Sequence, residues 1–122
     1  MSKVFDLIWD AILKKKTIHA RYMGKPRVLC PHVLGYNKDG EEQCLFYQCG
    51  GSSNSGLGPL GSSQNWRCIP LDGLDEVSVE NGPWITAFNT ASRPQTCVER
   101  IFIDVDTAAP TKQDNLPAAP GS

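Results

Sequence analysis

The sequence predicts a mainly β fold, a small antiparallel β-barrel carrying one N-terminal α-helix. Three observations support this. Val28 to Tyr36 reads VLCPHVLGY, Gln43 to Gln48 reads QCLFYQ, and Trp66 to Leu74 reads WRCIPLDGL. These are short apolar runs bounded by polar turns, the pattern of an all-β domain. Helical periodicity is confined to residues 3–15, so nothing alternates strand with helix as a parallel α/β core requires. Barrels of this kind more often bind a molecule than transform it.

The helix is expected over residues 3–15. Phe5, Ile8, Trp9, Ile12 and Leu13 recur on one face. Ser2 is placed to cap it, and Lys14, Lys15 and Lys16 sit where cations favour the negative end of the helix dipole. Thr17 to Tyr22 alternates as a first strand, with Ile18, Ala20 and Tyr22 opposite His19 and Arg21. Met23 to Pro26 is a turn. The second strand, about Arg27 to Tyr36, contains Pro31 and should bend or bulge there. Asn37 to Gly40 makes a hairpin turn, and Glu42 to Cys49 reads as the most buried strand.

The stretch from Gly50 to Asn65 is glycine- and serine-rich and holds no charge. A loop this long in a small domain is either functional or disordered. Trp66 to Leu71 is the fourth strand, Leu71 to Leu74 a turn, and Glu76 to Val79 a short fifth strand. Asn81-Gly82-Pro83 breaks the chain. Trp84, Ile85, Phe88 and Val98 suit a cover over the barrel. Arg100 to Asp106 fits a late sixth strand or an arm that pairs with an exposed edge. The core should include Trp9, Ile12, Leu45, Phe46, Ile69, Leu71 and Val77. Thr107 to Ser122 is Ala/Pro-rich and reads as a flexible tail outside a single domain of residues 1–106.

The net charge of −1 hides an asymmetry: residues 1–38 carry eight Lys/Arg against two Asp, and residues 39–122 carry four Lys/Arg against eleven Asp/Glu. A basic face for an anionic ligand is therefore admissible. No signal peptide or membrane-spanning run is visible, so a cytoplasmic protein with no membrane partner is expected. The five cysteines, Cys30, Cys44, Cys49, Cys68 and Cys97, show no CxxC spacing. They read as reduced, buried, small hydrophobes, with a disulfide between neighbouring strands as the main alternative and no metal site.

Candidate chemistry is sparse. Gly56 to Gly61 spells GxGxxG but lies in a loop, contains Pro59 and leads into a strand, so it lacks the strand–turn–helix setting that a pyrophosphate needs. The acidic cluster Asp39, Glu41 and Glu42 fits a hairpin tip and not a calcium loop. No nucleophile–base pair has local support, and Asp104 and Asp106 are given no catalytic role. A non-enzymatic protein without cofactor is expected.

The linear order of elements carries one further signal. It consists of Tyr22 followed by Gly24-Lys25-Pro26-Arg27, Pro31-His32-x-Leu34-Gly35, Leu45 with Tyr47-Gln48, Trp66-Arg67 and Leu71-Asp72. This order resembles the WYL domain family, specifically its short stand-alone members, over about residues 5–80. The resemblance implies a small SH3/Sm-like barrel and a bacterial ligand-sensing, regulatory module. Some members of the family bind nucleic-acid ligands. The chain departs from the family at Gln43-Cys44-Leu45, where the signature Trp-Tyr-Leu would stand, and at Gly73, where an arginine is usual.

The expected function is non-catalytic recognition of single-stranded nucleic acid or a small anionic ligand. Arg21, Arg27, His32, Tyr36, Tyr47 and Arg67 are the candidate ligand-binding residues. The basic groups would pair with phosphate or carboxylate oxygens, and the tyrosines would stack on a base. The rival expectation is a homo-oligomeric assembly protein that associates through strand edges and the C-terminal arm.

Overall fold

The computed structural model describes residues 2–52, 56–82, 84–85 and 97–106. Helix α1 spans Lys3–Lys14. Six strands follow: β1 Thr17–Tyr22, β2 Lys25–Tyr36, β3 Glu42–Gly51, β4 Trp66–Pro70, β5 Leu74–Glu80 and β6 Arg100–Asp104. Phe88 and the 107–122 tail lie outside the described residues.

The Ser2 hydroxyl accepts the Phe5 amide at 3.1 Å and caps α1. At the other end Lys15 adopts the left-handed conformation (φ 51°), and Lys16 N–H reaches the Ala11 carbonyl at 2.9 Å. Phe5, Ile8, Ala11 and Ile12 are buried. Each of the larger three contributes about 1.5–3 kcal/mol by leaving water. Trp9 does not join them. It is 37% exposed and meets Phe102 edge-on, because it sits one residue, about 100°, round from Ile8 at the rim of the apolar stripe.

The sheet is antiparallel, in the order β4-β3-β2-β1-β5, with β6 added on β2. Strand β2 organises it. One edge of β2 carries β3 along its length; the other carries β1 opposite Lys25–Leu29 and β6 opposite Val33–Tyr36. The bend expected at Pro31 is a bulge: Pro31 faces Phe46, Val33 faces Leu45, and His32 is the extra residue. Gly35 lets β6 approach, since a Cβ there would stand 2.0 Å from the Arg100 carbonyl oxygen.

Three residues, Leu71–Gly73, carry the chain from β4 to β5 at the two ends of that order. In a flat sheet these strands would stand roughly 19 Å apart, more than the roughly 14 Å that four Cα–Cα steps can span. The sheet is therefore strongly curled around the core. It is not closed: no ladder joins β4 to β5 among the described residues. The expected barrel of about five strands is, in its hydrogen bonding, an open six-stranded sheet.

The main core joins the α1 face to Ile18, Ala20, Leu29, Leu34, Cys44, Phe46, Ile69, Leu71 and Leu74, with Val77 half-buried beside it. A second face of the sheet is covered too. Trp84 and Ile85 pack on Cys30 and Tyr47, and Val98 packs on Val33 and Leu45. This second layer explains why the middles of β2 and β3 are apolar on both sides.

The reading of all five cysteines as reduced is corrected. Cys68 on β4 and Cys97 form a disulfide, tying the covering segment to an edge strand. Cys30, Cys44 and Cys49 remain as thiols. Among the described residues no helix is long and apolar enough to cross a membrane, and no group of three or more His, Cys, Asp or Glu side chains is placed to hold a metal ion.

Candidate anion-binding site

The β1–β2 hairpin builds the site. Met23 and Gly24 both have positive φ (53° and 77°), the geometry of a two-residue turn matched to strand twist. This sets Arg21 opposite Pro26, Ala20 opposite Arg27 and His19 opposite Val28. Across β1, Glu76 is also left-handed (φ 51°) where the β1–β5 register shifts. The result is an open cleft of about 240 Å³ lined by His19, Arg21, Pro26, Arg27, Gly51 and Glu76, among others.

Arg27 is the unusual member. It is only 5% exposed. Its Nη1 donates to Gln48 Oε1 at 3.4 Å and its Nη2 to the Tyr22 carbonyl at 3.3 Å, and the guanidinium lies 5.0 Å from the centre of the Tyr22 ring. Its buried Nε has no hydrogen-bond partner among the described residues. Among the described residues no carboxylate pairs with it. Burial pushes its pKa down from the ordinary value, and the nearby positive charge of Arg67 pushes it further. A cation held out of water beside another cation is costly unless an anion offsets it.

The six residues expected from the sequence divide by environment. Arg21 and Arg27 line the cleft together. Arg21 donates to the Gly24 carbonyl at 2.6 Å and makes a long, exposed contact with Glu76 at 3.8 Å. Arg67 is near enough to act on Arg27 electrostatically, while its own Nη1 and Nη2 donate to the Gln64 and Gly56 carbonyls at 2.7 and 2.9 Å. His32 is fully buried, stacked on Trp84 and edge-on to Trp66, with Nδ1 2.7 Å from the Cys30 carbonyl. Tyr47 is fully buried and its hydroxyl meets Gly61 and Ser62. Tyr36 stacks on Phe5 and lies beneath Arg100. The structure therefore brings Arg21 and Arg27 to one cleft, with Arg67 outside its lining but within electrostatic reach of Arg27. His32, Tyr36 and Tyr47 sit in packing positions away from the cleft lining.

Sequence reasoning missed His19, Gly51 and Glu76 as cleft residues, and Gln48 as the residue that orients Arg27. Gln48 is fully buried and donates to the Gly50 and Ser52 carbonyls at 2.9 and 2.8 Å. The signal was a glutamine ending an otherwise apolar run, since a buried amide must find partners. The GxGxxG stretch is held as a folded loop. Asn65 accepts the Gly58 amide at 2.7 Å and donates back to the Gly58 carbonyl at 3.1 Å. Lys14 pairs with Asp10 at 3.0 Å and Lys15 lies over the Trp84 ring, so two members of the triple lysine are engaged locally.

Compared with known proteins, the chain matches no family model, no curated protein and no solved structure.

Proposed function

We propose that this protein is a non-catalytic binding module that recognises an anionic ligand, single-stranded nucleic acid or a small phosphate- or carboxylate-bearing molecule, at the β1–β2 cleft. The observation that supports this most is Arg27: buried, without a carboxylate partner among the described residues, and repelled by Arg67. An anion placed between Arg21 and Arg27 would offset that unfavourable charge through charge-assisted hydrogen bonds. In this reading the curled sheet serves as an SH3/Sm-like barrel and the chain as a stand-alone WYL-like sensor with a regulatory role.

Fluorescence-polarisation titration with short single-stranded DNA and RNA, and competition by inorganic phosphate, tests the proposal. Binding should weaken as salt rises. Arg21→Ala should reduce affinity without unfolding the protein, because Arg21 is half-exposed. No binding at low salt would overturn the reading.

One observation favours assembly as a second reading. Ile101 and Phe102 on β6 are 53% and 43% exposed, and Phe102 meets the part-exposed Trp9 edge-on at the sheet margin. Because β6 is bonded into its own sheet, a point change is a cleaner test than truncation. Phe102→Ser should shift sedimentation towards the monomer if this margin joins subunits.

A further inference from the structure

Two thiols stand apart from the cleft chemistry. Cys30 on β2 and Cys49 on β3 bring their Sγ atoms to 3.5 Å, with Cys30 donating its S–H to Cys49. Cys30 is fully buried under Ile85, whose amide donates to its sulfur at 3.3 Å, whereas Cys49 is half-exposed. The β2–β3 register shifts at this point: Val28 faces Gly50, Leu29 faces Gln48, and Cys49 is the skipped residue. A bulged residue is released from the ladder, and here Gly50 and Gly51 follow it. The two sulfurs already lie at contact distance, so closing a bond asks them to move together by roughly 1.5 Å.

We propose that Cys30 and Cys49 form a redox-active dithiol, a modification site at which a hydroperoxide closes a second disulfide. Cys49 attacks first. Its thiolate bonds to one peroxide oxygen, the O–O bond breaks, and the leaving oxygen takes a proton to become water. Cys49 is then a sulfenic acid. The Cys30 sulfur attacks the Cys49 sulfur, the S–O bond breaks, and hydroxide leaves with the Cys30 proton as a second water. Two thiols lose two electrons and one hydrogen peroxide is reduced to two waters.

The order of events follows from the site. The exposed sulfur meets the oxidant, and the buried sulfur waits as the resolving partner. The hydrogen bond from Cys30 lowers the Cys49 pKa and raises that of Cys30, so the thiolate forms on the accessible side. Cys44, the remaining thiol, is fully buried in the main core and burial pushes its pKa well up.

The test is thiol counting and disulfide mapping on the full chain, treated with one equivalent of hydrogen peroxide. Denatured thiols should fall from three to one, and cleavage between Cys44 and Cys49 at Phe46 and Tyr47 should show Cys30 joined to Cys49. Cys30→Ala should instead leave a sulfenic acid on Cys49 that dimedone traps. Should that variant fail to fold, a timed dimedone quench of the unaltered chain reads the same intermediate. Stable sulfenic, sulfinic or sulfonic acid at Cys49 with Cys30 still a thiol would overturn the proposal. So would a bond from Cys30 to Cys44, or exchange into the Cys68–Cys97 bridge.

Discussion

The hydroxyl of Tyr47 donates to the carbonyl of Ser62 at 2.8 Å and accepts the amide of Gly61 at 2.7 Å. One phenol thus satisfies both a donor and an acceptor of the glycine-rich loop and fastens that loop to β3. Tyr47→Phe keeps the ring and its edge contact with Trp66 but leaves both backbone groups without this partner. A loss of about 1–3 kcal/mol in denaturant unfolding is expected. Hydrogen exchange should rise at Gly61 while the α1 amides keep their protection. Unchanged exchange at Gly61 would show that the hydroxyl does not hold the loop.

Gly35→Ala tests how β6 belongs to the sheet. The new methyl would meet the Arg100 carbonyl oxygen at 2.0 Å and the Val98 side chain at 2.8 Å. A carbonyl in a ladder cannot swing away as a side-chain tip can, so β6 must lift from β2. The expected cost is about 1–3 kcal/mol. Exchange should accelerate at Glu99 and Val105, whose amides donate to Tyr36 and His32. Fast exchange confined to β1 and β5 would contradict this account.

The Cys68–Cys97 bridge closes a long segment, with a sequence separation of 29. Most of its stabilisation acts by restricting the unfolded chain, with a typical value of about 2–4 kcal/mol for such loops. Cys68→Ala with Cys97→Ala should lower stability by that amount and loosen Val98 from Val33 and Leu45. Calorimetry with and without reductant checks it: the unaltered protein should lose thermal stability on reduction and the double variant should not.

The parts of the fold that depend on near neighbours were legible in the sequence. The Ser2 cap, the Thr17–Tyr22 strand, the Pro31 bulge and the Asn37–Gly40 turn each rest on local chemistry. Arg21 and Arg27 were chosen as basic side chains for an anion; the two-residue Met23-Gly24 turn that sets both on one cleft is tighter than the Met23–Pro26 turn expected. What was not legible is long-range. Arg100–Asp104 alternates Ile101 and Ile103 against Arg100, Phe102 and Asp104, a pattern that does not choose between a free arm and the Val33–Tyr36 edge. The Cys68–Cys97 pairing depends on a covering layer that no local period announces. His32 and Tyr47 read as ligand contacts because, although Trp84, Ile85 and Val98 were expected as a cover, nothing local said which strand residues they would bury.

The Cys49 thiol offers a pH-dependent test of its contact with Cys30. The Cys30 S–H lowers the Cys49 pKa, burial opposes this, and the hydrogen bond is the larger effect. A lower thiol pKa means more thiolate at any given pH, so the alkylation curve moves to the acid side. Iodoacetamide labelling of Cys49 should have its midpoint below the ordinary thiol value of 9.0. In Cys30→Ala the donor is gone and burial remains, so the midpoint should move to higher pH. Peptide mass spectrometry across a pH series separates Cys49 from Cys44 and reads both curves. Coincident profiles in the two proteins would mean that Cys30 does not tune Cys49, whereas an alkaline shift on removing Cys30 would establish the hydrogen bond as its cause.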